Sequence, residues 1–143
     1  MIRFVEAEEV LSLRSKVLRN GKPLIECSFD GDRDENTFHL AEIIDKEIIC
    51  VATFHSQPHP NFAGNAYQLR GMATAEHYRG KGIGNQVLNF GIVYLRGKQI
   101  KYLWCNARKA AYSFYFGQGF EFISEEFEIS KIGPHRTMYL KIR

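Results

Sequence analysis

The chain has 143 residues, 45% apolar and 24% charged, and 19 basic against 16 acidic side chains give a net charge of +3. That length suits one domain with a real core, and the mixture excludes a disordered or low-complexity protein. The charge excess is too small to imply nucleic acid, and no apolar run approaches the roughly 20 residues that cross a bilayer.

In chain order, residues 2–5 read as a short strand, and their sequence, Ile2-Arg3-Phe4-Val5, lacks the apolar stretch of a signal peptide. Val10, Leu13 and Val17, with Leu11 and Leu18, repeat at helical spacing until Asn20-Gly21 supplies a stop. Residues 21–36 are polar and irregular, with room for a short helix. Thr37 to Ile44 and Glu47 to Phe54 form a hairpin around Asp45-Lys46, and the run Ile48-Ile49-Cys50-Val51-Ala52 suits a strand covered on both faces. Gln57 to Asn65 is a loop, and Ala66 to Thr74 a strand interrupted by Gly71, a mark of a bulge or a close approach. After the turn Arg79-Gly80-Lys81-Gly82-Ile83-Gly84 comes a helix with the stripe Ile83, Val87, Phe90 and Tyr94. Ile100 to Cys105 reads as strand and Ala107 to Phe116 as helix, stopped by Gly117 and Gly119. Phe120 to Ile129 and Arg136 to Ile142 read as the last two strands. No linker divides the chain, so a single domain over residues 1–143 is expected. Cys27, Cys50 and Cys105, odd in number and without CxxC spacing, fit a reducing compartment, and a cytoplasmic location is the expectation.

The glycine-rich turn is the first segment with chemistry. A helix N-terminus leaves backbone N–H groups unpaired and carries partial positive charge, and glycines let that backbone approach a ligand. Arg79 and Lys81 add charge, so the turn is suited to phosphate. The other phosphate motifs fit poorly. A P-loop needs Lys and then Ser or Thr after its last glycine, whereas Asn85 follows Gly84. The spacing Gly80-x-Gly82-x-Gly84 also departs from GxGxxG.

Arg-Gly-x-Gly-x-Gly directly after a strand resembles the pyrophosphate-binding turn of the GNAT superfamily of N-acetyltransferases. A second segment carries the same resemblance: Asn106-Ala107-Arg108 at a strand end, then Ala111-x-x-Phe114-Tyr115-x-x-x-Gly119-Phe120 on a helix. The chain is most similar to a bacterial branch with Leu13-Arg14-x-x-Val17-Leu18-Arg19 early and Gly133-Pro134-His135-x-x-Met138 late.

The resemblance implies an α/β (α+β) fold with a central mixed, mostly antiparallel sheet of about seven strands and helices on both faces. It implies acetyl-CoA as co-substrate, no metal, and transfer of acetyl to a primary amine by direct attack. Main-chain groups of Met72, Ala73 and Thr74 would pair with pantetheine, and Arg79, Gly80, Lys81, Gly82, Ile83 and Gly84 would hold the pyrophosphate. Asn106 would bond the pantetheine arm, Phe114 would line its far end, and Tyr115 would protonate the departing thiolate. The acceptor would be a small-molecule or peptide amine, with no nucleic-acid or membrane partner; a homodimer is compatible with the pattern.

The base is not supplied by the resemblance. The strand positions that carry it in some relatives hold Gln68 and Arg70, neither of which is a base near neutral pH. His39 and His135 have a suitable ordinary pKa, though each suits a hydrogen-bonded structural role better. Arg70, ahead of Arg14 and Arg19, is the best placed to meet an acidic acceptor. His55-x-x-x-His59 has metal-like spacing, but Pro58 and Pro60 forbid the helix that would align it. Two alternatives stay open: a non-catalytic acyl-CoA sensor on the same fold, kept alive by the missing base, and a nucleic-acid-binding domain using the basic turn.

Overall fold

A computed structural model describes residues 1–61 and 63–142. Its chain clusters into two compact units, Met1–Ser56 with Leu69–Tyr94, and Gln57–Gln68 with Leu95–Arg143.

The first unit starts with β1 (Ile2–Val5), a 3-10 turn at Ala7–Val10, α1 (Leu11–Leu18) and a second 3-10 turn at Leu24–Cys27. Then come β2 (Phe38–Ile44) and β3 (Glu47–Ser56), followed by the Leu69–Thr74 part of β4 (Ala66–Thr74) and α2 (Ile83–Gly97) as far as Tyr94. β1 pairs antiparallel with β2, and β2 with β3, Ala41 lying opposite both Arg3 and Val51. Asp45 and Lys46 both take positive φ, 51° and 67°, which is the two-residue turn that matches strand twist.

Strand alternation sorts the side chains of this unit onto two faces. Ala41, Val51 and Ala73 pack with Val10 and Leu13 in the core under α1. Phe38 and Phe54 stack at 4.6 Å on the opposite face, where Tyr94 of α2 meets Phe38 at 4.8 Å. α2 lies so close to this face that a Cβ on Gly91 would overlap the Phe54 ring. Helices therefore cover both faces of the sheet here.

In the second unit Ala66–Gln68 of β4 pairs in parallel with Tyr102–Trp104 of β5 (Tyr102–Arg108). β5 pairs antiparallel along its length with β8 (Gly133–Lys141), from Tyr102 opposite Lys141 to Arg108 opposite His135. Between them in sequence come a 3-10 turn at Lys109–Ala111, α3 (Tyr112–Gly117), β6 (Glu121–Phe122) and β7 (Phe127–Ile129). The eight strands make a mixed, mostly antiparallel sheet whose parallel pair is β4 and β5.

Two stretches differ from the sequence expectation. Ala107 and Arg108 are strand, because their pairing with Arg136 and His135 outweighs the helical preference of this alanine-rich stretch. The strand expected over Phe120 to Ile129 is broken into two, which makes eight strands instead of about seven. The cause is local. Ser124 Oγ accepts the Thr137 N–H at 2.8 Å and Ser124 O accepts from Arg136 Nε at 3.0 Å, so side chains replace ladder bonds and the register slips. Among the described residues no helix is long and apolar enough to cross a membrane. Cys27, Cys50 and Cys105 are all free and buried.

Candidate functional site

The turn before α2 is open. Gly80 and Gly82 have φ of +75° and +79°, and a Cβ on either would meet nothing within 4 Å. Glycine is needed there for its backbone conformation, not for space. Arg79, Gly80, Lys81 and Gly82 are exposed, and Ile83 and Gly84, which begin α2, are half-buried. Gln86 N–H donates to Gly82 O at 3.1 Å at the head of α2, and the first amides of a helix in general have no carbonyl one turn back. Arg79 Nε donates to Thr74 O at 3.3 Å, and Lys81 Nζ lies 5.5 Å from the Tyr78 ring centroid. Backbone donors and two solvent-facing cations at one helix mouth fit a diphosphate.

Upstream on β4, Met72 and Thr74 are half-buried and Ala73 is in the core. Thr74 Oγ1 donates to Cys50 Sγ at 3.4 Å. Gly71 has φ +64°, and a Cβ there would lie 2.8 Å from Arg14 Nε and 3.1 Å from Phe29. The close approach expected at this glycine is made by the protein's own arginine.

Arg14 is fully buried, and its network is the main feature that the sequence left unread. Its Nη1 donates to Asp32 Oδ2 at 2.7 Å and Cys27 O at 2.9 Å, and Nη2 to Thr53 Oγ1 at 2.7 Å and Asp32 Oδ1 at 3.2 Å. His55 Nε2 meets Asp32 Oδ1 at 3.0 Å, and Phe29 N–H donates to Oδ2 at 2.9 Å. Burial alone would raise the Asp32 carboxyl, but hydrogen bonds from His55, Arg14 and the Phe29 amide outweigh it and hold it well below the usual range.

His39 closes the network. Its Nε2 lies 2.9 Å from Asp32 O, a carbonyl that can only accept, so Nε2 carries the proton and Nδ1 accepts from Thr53 Oγ1 at 2.7 Å. With both nitrogens engaged and the ring 4% exposed, His39 has no lone pair for a substrate amine. Burial pushes its pKa below the ordinary value. It borders a cleft of about 370 Å³ that also touches Phe4, Glu8, Arg33 and Thr37 but none of residues 70–84. The sequence signal for the network was the strand phase. His39, Thr53 and His55 occupy inward positions, where a polar side chain needs a partner.

In the second unit Tyr115 is fixed by the end of α3. Phe120 N–H bonds Tyr115 O at 3.0 Å and Gly119 N–H bonds Phe116 O at 2.9 Å, with Gly119 at φ +95°. This is the glycine-terminated cap whose flanking residues touch, and the Tyr115 and Phe120 rings lie 5.3 Å apart. Tyr115 is 6% exposed and also meets Phe114 at 5.1 Å. Burial, and then the Cys105 thiol, push its phenol well above the ordinary value, so it holds its proton at neutral pH. Cys105 is itself pushed up by burial, which suits an inert packed thiol.

Asn106 is exposed, and its Oδ1 accepts from Thr137 Oγ1 at 2.8 Å. That bond orients the amide and leaves Nδ2 without a partner among the described residues. His135 Nδ1 donates to Gly133 O at 2.8 Å, and its ring lies 6.1 Å from that of Phe127. His59 accepts from Asn61 N–H at 3.0 Å and meets Trp104 edge-on at 4.8 Å. No three His, Cys, Asp or Glu side chains among the described residues are grouped to hold a metal ion.

Comparison with known proteins gives a consistent pattern. The profile of the Acetyltransferase (GNAT) family matches residues 6–120. The "Uncharacterized N-acetyltransferase YitI" of Bacillus subtilis (strain 168) is 32% identical over 143 residues, covering 99% of this chain and 96% of the relative. A putative N-acetyltransferase from Lactobacillus plantarum superposes with a TM-score of 0.79 at 16% identity, covering 100% of this chain and 98% of the other. An aminoglycoside 6'-N-acetyltransferase complexed with coenzyme A superposes with a TM-score of 0.74 at 13% identity, covering 100% and 97%. The structural likenesses are of fold.

Proposed function

The chain belongs to the GNAT acetyltransferase family, and from that premise we propose that it moves an acetyl group from acetyl-CoA to a primary amine. The observation that carries this reading is the open turn at the head of α2, where Gly80 and Gly82, both at positive φ, alternate with the exposed cations Arg79 and Lys81. The whole chain, residues 1–143, is read as one such domain working in the cytoplasm.

Acetyl-CoA supplies a thioester, whose acetyl carbon gains a bond to the acceptor nitrogen as its bond to sulfur breaks. The protein binds and orients. Amides of residues 80–84, with Arg79 and Lys81, hold the diphosphate, and main-chain groups of Met72, Ala73 and Thr74 pair with the pantetheine arm as an added strand would. Asn106, whose Oδ1 is taken by Thr137, donates from Nδ2 to the pantetheine, and Phe114 lines its end. Tyr115 keeps its proton at neutral pH and gives it to the leaving sulfur. The proton lost by the attacking amine goes to water, since Gln68 and Arg70 are not bases, both His39 nitrogens are engaged, and His135 is buried.

The test is release of free thiol from acetyl-CoA across a panel of amines, amino acids, polyamines and peptides. Tyr115→Phe is expected to lower kcat about 100-fold or more while leaving the acetyl-CoA Kd unchanged. Full turnover in that variant would remove Tyr115 as the acid. The buried partners of His39 favour a second reading, a non-catalytic acyl-CoA sensor, which predicts tight binding and no thiol release with any amine.

A further inference from the structure

Three arginines converge on one aromatic ring. The guanidinium carbons of Arg14, Arg70 and Arg19 lie 4.0, 4.1 and 5.9 Å from the centroid of Phe29. The buried carboxylate beside them is already occupied. Asp32 accepts from both terminal nitrogens of Arg14, from His55 and from the Phe29 amide. Asp30 is exposed and adds only a screened field.

Arg70 is half-buried, yet beyond Phe29 it has no hydrogen bond or ion pair among the described residues, and neither has Arg19. Burial, and then the neighbouring charge of Arg14, push the Arg70 guanidinium below its ordinary value. A guanidinium remains charged under such pressure, so the group of arginines around Phe29 keeps an uncompensated positive charge. Arg14 adds to that charge from within: its Nε is buried with no partner among the described residues, packed beside Gly71 where a Cβ would come within 2.8 Å, so it contributes field and not a contact. Unpaired planar donors in a partly desolvated place suit a carboxylate, whose two oxygens match the guanidinium fork. A polycation would be repelled.

We propose that Arg70, set over Phe29 with Arg19 beside it, binds a carboxylate of the acceptor, so that the acceptor is a small amine bearing a carboxylate. The proposal rests on the acetyltransferase reading above and narrows its substrate class. Arg70 precedes Met72–Thr74 on the same strand, and an acceptor anchored at Arg70 starts next to the segment assigned to the pantetheine arm.

The experiment measures thiol release with glycine, β-alanine, γ-aminobutyrate and glutamate, each against its own carboxamide and corrected for the fraction of neutral amine. At least one carboxylate is expected to exceed its carboxamide in kcat/KM by about tenfold or more. In Arg70→Met that preference collapses toward one, and in Arg70→Lys, which keeps charge without the fork, part of it remains. Circular dichroism and the acetyl-CoA Kd report whether each variant still folds. A wild type that never prefers the carboxylate, or a preference that survives in Arg70→Met, overturns the proposal. A readout independent of turnover follows the arginine Nε–H signals of the wild type by NMR during titration with β-alanine or β-alaninamide. Shifts with β-alanine alone are expected; equal responses, or none, overturn the subsite. If acetyl-CoA binds and no amine is acetylated, the transferase reading fails, and the titration still decides the carboxylate site.

Discussion

Arg14 and Arg79 belong to two regions that use the same side chain in opposite ways. Arg14 has no exposed surface, and four hydrogen bonds tie it to Asp32, Thr53 and Cys27. Arg79 lies on the surface with one long bond to Thr74 O. Around Arg14 every terminal guanidinium nitrogen has a partner and only Nε is left without one among the described residues; Arg79 stands beside a helix mouth, where a helix leaves its first amides unpaired. A buried network that loses a member exposes its partners to an apolar surrounding, whereas an open turn that loses a cation loses only what it binds. The first region holds the fold, and the second is available for a ligand.

The largest expected effect is on the first region. Arg14→Met should cost about 3–5 kcal/mol of stability in urea unfolding, because it leaves the Asp32 carboxylate buried without its main partner. A loss under about 1 kcal/mol would mean that the ion pair is dispensable. Next comes the second region. Arg79→Ala combined with Lys81→Ala should weaken acetyl-CoA binding about tenfold or more in calorimetry. The unfolding midpoint of that variant should not move. A shift in stability with unchanged affinity would reverse the assignment of the two regions.

The smallest expected effect is that of pH on the network. His39 is held below its ordinary pKa, so as pH falls below about 6.5 the unfolded chain takes a proton that the folded one refuses. Its contribution is full above that pH and declines below it. Asp32 is also held below its ordinary pKa, so its contribution is full above about 3.9 and is lost as pH falls toward its folded value. Urea midpoints should therefore drop in two stages on acidification. A flat profile from pH 8 to pH 5 would show that His39 is not held neutral by burial.

Local chemistry made much of this legible in advance. The hairpin at Asp45-Lys46, the helix after Gly82, and the strand from Ala66 to Thr74 each follow from residues close together in sequence. The glycine-rich turn was readable for the same reason, since its requirement for positive φ lies in its own backbone. The breaks came where a distant partner decides. Ser124 ends a strand because its hydroxyl takes the Thr137 N–H, and Ala107 joins a strand because Arg136 lies opposite.

Arg14 is the strongest instance. Alone in sequence it reads as an ordinary surface or paired arginine, and its partners Asp32 and Thr53 stand 18 and 39 positions away. Composition and periodicity determined the order of strands and helices and the place of the glycine-rich turn, because those depend on neighbours along the chain. Packing alone decided that three arginines share the Phe29 ring and that His39 has no free nitrogen. Hydrogen bonds and desolvation act between residues that only the folded chain brings within a few ångströms.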